Sequence, residues 1–306
     1  MKKKAKNLLP VNYRLIKDLV IKNLSGVLLG ICLLVIIAIV IGLSIKSEPL
    51  ISTESLWNIL SSSVWSPMKG NFGFLPFIMG TVWVTLISLV IAVPLCLAAS
   101  VYLVEYAGNR LRNFVLPLVN VLAAIPPVLY GVWGVLFVVP LIGNYIAPLF
   151  GISTTGYSVF SGGIVLAVMI FPIMVSIMVE VLQTIPKELR SVSLSLGATK
   201  LETIQQVVLK KARPGIMAAI VLAVSRAFGE TIAVLMVCGN IPKIPQSIFD
   251  AGYPLPALIA NNFGEMMSIP LYDSALMFAA LLLFIIILGF NLISRGILKR
   301  MEAKNI

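Results

Sequence analysis

The sequence predicts an all-α integral membrane protein with six transmembrane helices, and three observations support this fold class. Of the 306 residues, 59% are apolar and only 11% are charged. The mean hydropathy of +1.04 is far above the value that a water-soluble domain can carry. The apolar residues also form long uncharged runs, and a run of about 20 residues crosses the core of a bilayer as a helix.

The apolar runs divide the chain into one transmembrane domain over 24–296, with a basic segment at 1–23 and a basic tail at 297–306. The first run is too long for the core of a signal peptide, so we expect a retained helix. The interval 113–179 has no charged residue but is too long for one crossing, and we divide it at its polar, glycine-rich middle, 143–163. The six predicted spans are 24–45, 74–103, 114–142, 162–182, 214–238 and 274–294.

The distribution of basic residues predicts the orientation of these spans. With the N-terminus inside, the inner segments hold nineteen Lys and Arg residues and the outer segments hold three: Lys46, Lys69 and Lys243. Because basic residues collect on the cytoplasmic side of a membrane, both termini are expected in the cytoplasm. The protein is therefore expected in a bacterial-type cell (inner) membrane, in contact with lipid.

The composition also excludes several classes of function. The chain has no histidine, so it lacks an imidazole base and histidine metal ligands. Cys32, Cys96 and Cys238 all fall in apolar stretches, so we expect neither disulfides nor a metal site. The net charge of +11 comes from short loops between spans, which argues against nucleic-acid binding. The chain also lacks a P-loop motif, so we expect no bound cofactor and no ATPase activity of its own.

The inner loop at 184–213, here called the coupling loop, is predicted to form two short helices around a glycine turn. Pro186 suits a first helical position, and Leu189, Val192 and Leu196 follow at helical spacing. Gly197 should end this helix, and Thr199 with Glu202 forms a capping box for the next. From pattern alone, the loop is either an amphipathic connector at the membrane surface or a docking site.

This loop resembles the EAA loop of ABC-importer permeases, with Gly197 at the motif glycine and Val207 and Leu209 at its aliphatic positions. The sequence departs from the motif at 191–193, where Ser-Val-Ser replaces Glu-Ala-Ala, and at Lys210, where proline is usual. The resemblance implies a coupling helix that docks on an ATP-binding subunit. The residues it implies for this contact are Ser191, Ser195, Leu196, Gly197, Ala198 and Thr199.

Arg226 and Glu230 are the only charges well inside a predicted span. A charge at the bilayer centre costs about 2.5 to 3.5 kcal/mol on insertion scales, so such residues face protein or water. Spaced by four, the two would share a helix face, either as a structural ion pair or as part of a path for an anion. Pro126 and Pro127 should break the third span, which indicates a packed or path-lining position.

The stretch 225–240, SRAFGETIAVLMVCGN, closely resembles a segment of the C-type permease subunit of the phosphate-specific ABC importer. Stretches 125–140 and 257–265 resemble other segments of the same subunit. The resemblance implies the type I ABC-importer permease fold and a substrate path that includes Ser225, Arg226, Glu230 and Thr231. It also implies an A-type permease partner, two ATP-binding subunits that hold ATP and Mg²⁺, and an extracytoplasmic phosphate-binding protein.

Three other functions stay open at this point. A permease for molybdate, tungstate or sulfate would share the coupling loop and also move an oxyanion. An ion-coupled secondary transporter would need inverted repeats and several intramembrane carboxylates, whereas this chain has one well inside a span. A membrane enzyme would have little catalytic machinery without histidine.

The predicted topology can be tested by cysteine labelling of a variant that lacks the three native cysteines. A cysteine at Lys243 should react with an impermeant maleimide in intact cells. A cysteine at Lys200 should react only after permeabilisation, because it lies in an inner loop. Labelling of the Lys200 position from outside would contradict the orientation.

Overall fold

The computed structural model describes residues 11–266 and 269–303. Parts of the predicted basic segment and tail, including Lys2, Lys3, Lys4, Lys6 and Lys304, lie outside the described residues. The described part is almost entirely helical. Its one sheet has two strands, β1 (Trp65–Ser66) and β2 (Asn71–Phe72), paired antiparallel around a 3-10 turn at Pro67–Lys69.

The helices follow each other along the chain with few long connections. In the first half they are α1 (Val11–Thr53), α2 (Leu56–Ser61), α3 (Leu75–Val101), α4 (Asn109–Ala123), α5 (Pro127–Trp133), α6 (Val139–Leu141) and α7 (Ala147–Leu149). In the second half they are α8 (Val159–Gln183), α9 (Lys187–Ser195), α10 (Lys200–Glu202), α11 (Leu209–Phe228), α12 (Ile232–Val237), α13 (Leu255–Asn262) and α14 (Pro270–Ala303). The π-helical turns are Tyr102–Tyr106, Gly134–Val138, Ile142–Ile146 and Thr203–Val208.

Among the described residues, five helices are long and apolar enough to cross a bilayer: Lys17–Thr53, Leu75–Tyr106, Pro127–Leu149, Val159–Gln183 and Leu271–Arg300. They overlap five of the six predicted spans. The helix over the first span is longer than the predicted apolar run at both ends, because flanking charged residues continue a helix as readily as apolar ones. The third and fifth predicted spans differ more, since each is interrupted.

The third predicted span, 114–142, is divided by the two prolines, as the sequence indicated. Helix α4 ends at Ala123, and α5 starts at Pro127 with Pro126 as its N-cap. The residue before a proline is disfavoured in the α conformation, and proline has no N–H to donate, so neither helix continues through this point. The second half continues to Leu149 through two π-helical turns, beyond the predicted end.

The fifth predicted span, 214–238, has a break that the sequence analysis did not predict. Helix α11 ends at Phe228 with Gly229 as its C-cap, and α12 starts at Ile232. Gly229 does not serve close helix approach, because a Cβ added there would meet no neighbouring atom closer than the Arg226 carbonyl oxygen at 3.7 Å. Its role is to end a helix in the middle of the bundle.

Helices α3 and α8 form the centre of the larger core. The Cys96 thiol donates to the Phe171 carbonyl at 3.7 Å, and the Ser100 hydroxyl donates to the Val175 carbonyl at 3.4 Å. From the first bond to the second, the residue number rises by four on both helices, so α3 and α8 run parallel. Gly163 allows close contact, since a Cβ there would lie 2.3 Å from Ile87 Cγ2.

An aromatic cluster holds the start of α3 at one end of the bundle. Trp65 of the hairpin makes edge contacts with Phe72, Phe77 and Tyr272, at ring-centroid distances of 5.5, 4.8 and 5.9 Å. Phe77 is on α3 and Tyr272 is on α14, so the hairpin joins these two helices. Leu50, near the end of α1, is buried in the same cluster. The opposite end of the bundle carries the coupling loop and is called the basic end below.

The contact between α8 and Cys238 predicts a specific steric effect. A Cβ added at Gly162 would lie 2.3 Å from Cys238 Sγ and 3.3 Å from the nearest Val84 atom. Gly162→Ala should therefore destabilise the protein by about 1 to 3 kcal/mol, the usual cost of overpacking a core. Thermal unfolding in detergent would measure this loss.

The matched control is Gly289→Ala in α14, where an added Cβ meets no atom within 4 Å. It should not lower the melting temperature. The double variant Gly162→Ala with Cys238→Ala should recover part of the loss, because the clashing sulfur is gone. Equal melting temperatures for Gly162→Ala and the native protein would contradict this packing.

Candidate functional site

Arg226 lies near the middle of the bundle. Helix α11 packs antiparallel to α8: Gly215 contacts Val181 near one end of α8, and Cys238 contacts Gly162 near the other. Arg226 is about midway along the chain between these two contacts, and its side chain is exposed on the surface of the chain. A charge at this depth cannot face lipid without a large cost, so this surface faces water or another protein chain.

Arg226 and Glu230 do not form the structural ion pair that was one of the two alternatives for them. Among the side chains that the structure describes, the one salt bridge joins Arg190 to Glu105. The expectation of a shared helix face was wrong because α11 ends at Phe228, which places Glu230 in the break. Glu230 instead accepts a hydrogen bond from the backbone N–H of Ala233 at 3.3 Å, in the first turn of α12. Arg226 is therefore left available for another anionic group.

The other two predicted path residues have separate surroundings. Ser225 donates to the Val221 carbonyl and to Asn291 Oδ1 of α14, both at 2.9 Å, so it joins α11 to α14. Thr231, in the break, donates to the Gly229 carbonyl at 3.3 Å. It also lines an open cavity of about 440 Å³ with residues of α13 and α14, namely Pro256, Ile259, Ala260, Phe263 and Leu283.

The break at Pro126 and the break at Gly229 lie next to each other. Gly131 of α5 packs against Ala233 and Met236 of α12, so the two helices that follow the breaks are neighbours. The Tyr130 hydroxyl donates to the Leu122 carbonyl at 2.7 Å and so bridges the first break. Arg226 interacts electrostatically with this phenol. The structure thus brings Pro126, Pro127, Arg226 and Glu230 into one region at mid-depth.

The coupling loop has the two helices and the turn that the sequence predicts. Gly197 has φ +87°, and it donates to the Leu194 carbonyl at 3.0 Å while Ala198 donates to the Ser193 carbonyl at 3.3 Å. These bonds form a Schellman motif, which requires the left-handed backbone that glycine adopts without strain. The turn therefore ends α9 and sets the direction in which the next helix starts.

The predicted capping box at the start of α10 is also present. The Thr199 backbone N–H and hydroxyl each donate to Glu202 Oε2 at 2.8 Å, and the Glu202 N–H donates back to Thr199 Oγ1 at 3.3 Å. These bonds hold the pKa of the Glu202 carboxyl below its usual value. Because the pKa of Glu202 is lower in the folded than in the unfolded protein, its ionised carboxylate stabilises the helix start at pH values above the unfolded pKa. This contribution is lost as the pH falls through the folded pKa.

The predicted docking residues form an uncovered surface around the glycine turn. Leu196 is 84% exposed, and Val192 and Leu201 are each 57% exposed. Ser191, Ser195 and Thr199 are exposed beside them, and Ala198 is half-buried. Several apolar side chains exposed together on a polar loop indicate a contact surface for another protein.

Sequence analysis missed the contacts that hold this loop on the bundle and the bond that joins its two helices. The carboxylate of Glu105 binds Arg190, the ammonium of Lys200 lies over the ring of Tyr106, and Ser193 bonds to Thr203. One signal could have suggested the first contact: Glu105 is the only acidic residue between Glu54 and Glu180. The others join residues with no local pattern between them.

The geometry can now be compared with known proteins. The family model described as "Binding-protein-dependent transport system inner membrane component" matches residues 95–305. The chain belongs to this family. Members are permeases, the membrane subunits of ABC transporters that do not catalyse a reaction, so the secondary-transporter and membrane-enzyme alternatives are excluded.

Relatives of known name are similar over most of the chain. It is 39% identical over 233 residues to the probable ABC transporter permease protein YqgH of Bacillus subtilis (strain 168), covering 75% of this chain and 74% of that protein. It is 36% identical over 257 residues to the phosphate transport system permease protein PstC of Xylella fastidiosa (strain 9a5c), covering 79% of each. It is 33% identical over 258 residues to the probable phosphate transport system permease protein PstC of Methanocaldococcus jannaschii, covering 79% of this chain and 82% of that protein.

Solved structures support the same fold. A chain of a bacterial ABC transporter involved in the import of the acidic polysaccharide alginate matches with a TM-score of 0.56 at 17% identity, covering 93% of this chain and 99% of that chain. A chain of the MetNI methionine ABC transporter, in an inward facing conformation, matches with a TM-score of 0.52 at 19% identity, covering 78% of this chain and 99% of that chain. The fold is therefore that of ABC-importer permeases.

The Gly197 turn predicts a difference between two substitutions. No atom lies within 4 Å of an added Cβ, so any effect comes from the backbone. Gly197→Val should distort the turn and reduce ATP-driven transport severely, because a β-branched residue strongly disfavours positive φ. Gly197→Asn should keep most of the transport, since asparagine tolerates this conformation.

Both variants should insert into the membrane in normal amounts, because the turn lies outside the packed core. Uptake and substrate-stimulated ATP hydrolysis by the reconstituted transporter are the measurements. If Gly197→Val keeps native rates in both, the geometry of this turn is not needed for coupling.

Proposed function

We propose that this chain is a permease subunit of an ATP-driven importer and that it forms, with a second permease, the path by which inorganic phosphate enters the cytoplasm. The observation that carries the proposal is Arg226: a guanidinium at mid-depth, exposed, without a salt bridge among the described residues, and beside two helix breaks. A planar guanidinium can donate two parallel hydrogen bonds to an oxyanion. Glu230 is nearby in sequence, but its carboxylate accepts a hydrogen bond from α12 and forms no salt bridge with Arg226.

The helix breaks support a path at this position. Interrupted helices are tolerated in a membrane only where the freed backbone groups meet protein or water. Transporters use such discontinuous helices at mid-depth to bind substrates and ions. Here two breaks lie side by side, and both adjoin the region of Arg226, so this part of the surface suits a water-filled passage shared with a partner permease.

The names of the relatives support phosphate as the substrate. Proteins named phosphate transport system permease PstC from Xylella fastidiosa and Methanocaldococcus jannaschii are 36% and 33% identical to this chain. The Bacillus subtilis relative is named as a probable ABC transporter permease without a stated substrate. A permease for molybdate, tungstate or sulfate is the second candidate, because Arg226 would suit any tetrahedral oxyanion. Competition of these anions with labelled phosphate would distinguish the two.

The assembly that we propose has an A-type permease beside this chain and two ATP-binding subunits at the basic end. These subunits would hold ATP and Mg²⁺, and the exposed surface around Leu196 would be the docking site for one of them. A phosphate-binding protein would deliver the anion at the opposite end. Both termini would lie in the cytoplasm, and the surrounding membrane would be the cell (inner) membrane.

The role of Arg226 can be tested by substitution. Arg226→Gln should lower phosphate uptake about tenfold or more, because a hydrogen bond to a charged group contributes about 1.5 to 3 kcal/mol. Arg226→Lys should keep only part of the native uptake, since an ammonium lacks the planar fork of the guanidinium. Uptake of labelled phosphate by proteoliposomes that contain the complete transporter is the measurement.

The amount of assembled complex distinguishes transport from structure. A path residue can be changed without loss of assembly, whereas removal of one partner of a buried ion pair lowers the amount of folded complex. The double variant Arg226→Gln with Glu230→Gln separates the two cases further. Recovery of uptake in the double variant would refute the path role, and normal assembly without uptake would support it.

A further inference from the structure

The end of α3 contacts the coupling loop at two consecutive residues. Helix α3 continues into the π-helical turn Tyr102–Tyr106. Glu105 in this turn binds Arg190 of α9, and the ring of Tyr106 lies under Lys200, the first residue of α10. One residue therefore contacts the helix before the Gly197 turn, and the next contacts the helix after it.

The contact through Glu105 is a desolvated, two-pronged charge pair. Arg190 Nη2 lies 2.7 Å from Glu105 Oε1, and Nε lies 3.0 Å from Oε1 and 3.3 Å from Oε2. The side chains of Arg190 and Glu105 are only 18% and 9% exposed. A planar fork on a carboxylate fixes orientation as well as distance, so it resists rotation of one helix against the other.

Arg190 also binds the end of α8. Its Nη1 donates to the Ile185 carbonyl at 2.6 Å, and its Nη2 donates to the Leu182 carbonyl at 3.1 Å. The last carbonyls of a helix have no partner within the helix, so the guanidinium satisfies groups that would otherwise be unpaired. One side chain thus joins α3, the end of α8 and α9.

The contact through Tyr106 has a different chemistry. The Lys200 Nζ lies 4.2 Å from the centroid of the Tyr106 ring, within the range of a cation–π interaction. Tyr102 stacks beside Tyr106, with ring centroids 6.4 Å apart and an interplanar angle of 13°. The π-helical turn is closed by a hydrogen bond of 2.8 Å from the Ala107 N–H to the Tyr102 carbonyl, and such turns are frequent at functional positions.

The loop itself is a stiff unit. The Schellman motif at Gly197, the capping box at Thr199 and a hydrogen bond of 2.9 Å between Ser193 Oγ and Thr203 Oγ1 fix its two helices relative to each other. The loop is joined covalently to α8 and to α11, and Glu105 and Tyr106 give it two further contacts with the end of α3. Movement of the loop can therefore reach α3 directly through these two side chains as well as through α8.

We propose that Glu105 and Tyr106 are positioning residues that transmit the movement of the coupling loop to α3, with Arg190 and Lys200 as their partners. This inference rests on the proposed function, because it requires an ATP-binding subunit that moves the loop. It assigns a role in coupling to residues outside the EAA-like motif. Two points of attachment, one on each side of the Gly197 turn, would transmit rotation as well as displacement.

The test uses the complete transporter in proteoliposomes, and it measures the phosphate transported for each ATP hydrolysed. Glu105→Gln and Arg190→Gln should each lower this ratio about fivefold or more, the low end of usual coupling between sites. The double variant, Glu105→Gln with Arg190→Gln, should lower the ratio no further than either single variant. Such non-additivity would show that the pair acts as a unit.

The Tyr106 contact is tested with conservative and non-conservative substitutions. Tyr106→Phe and Lys200→Arg keep the ring and the cation and should retain the ratio, whereas Tyr106→Leu and Lys200→Gln should lower it. The matched control is Arg110→Gln, an exposed charge near this end of α3 that forms no hydrogen bond or salt bridge with the described residues of the loop. It should leave the ratio unchanged. Loss of assembly with a native ratio in the remaining complexes would show a structural role only.

A second measurement does not depend on the substrate. Spin labels at Val90 on α3 and Leu292 on α14, both exposed, should change their separation when the transporter binds ATP. This change should be lost in Glu105→Gln and kept in Arg110→Gln. If the native transporter shows this distance change but takes up no phosphate, the proposed substrate is wrong and the inference about coupling is not affected. Single variants that assemble and keep both the native ratio and the distance change would overturn the inference.

Discussion

The structure depends on one constraint: within a bilayer, every charge and every free backbone group must meet protein or water. The five continuous apolar helices meet most of this requirement through the backbone bonds within each helix. Two full breaks of the helical backbone lie in one place. The breaks after Ala123 and Phe228 adjoin each other, and Arg226 lies in the same region. The two helix breaks and the charge of Arg226 thus lie on one surface, which must contact a partner chain or water rather than lipid.

Much of the fold could be predicted from the sequence, because hydrophobic length and local chemistry determine it. The double proline at Pro126 strongly disfavours a continuous helix, and the spacing of Thr199 and Glu202 favours a capping box. The break at Gly229 was not predicted. A single glycine is tolerated inside a transmembrane helix, and its role as a C-cap becomes visible only once α12 packs on α5.

The candidate site was predicted in its residues but not in its geometry. A spacing of four between Arg226 and Glu230 implies a shared face only if one helix contains both, and this condition fails. The contacts of Glu105 with Arg190 and of Tyr106 with Lys200 join segments that are far apart in the sequence. Periodicity within a segment has no information about such pairs, so they required the three-dimensional structure.

The aromatic cluster around Trp65 has a mechanical consequence. It clamps the start of α3 against the hairpin and α14 through large, interlocked rings, whereas Glu105 and Tyr106 join the far end of the helix to the coupling loop through a salt bridge and a cation–π contact. The helix Leu75–Tyr106 has 32 residues, so it is about 48 Å long at 1.5 Å per residue. If the helix pivots at this clamp, a tilt of about 5° displaces its far end by about 4 Å. The same tilt leaves the end beside the hairpin almost stationary, so the two ends of the helix can move by very different amounts.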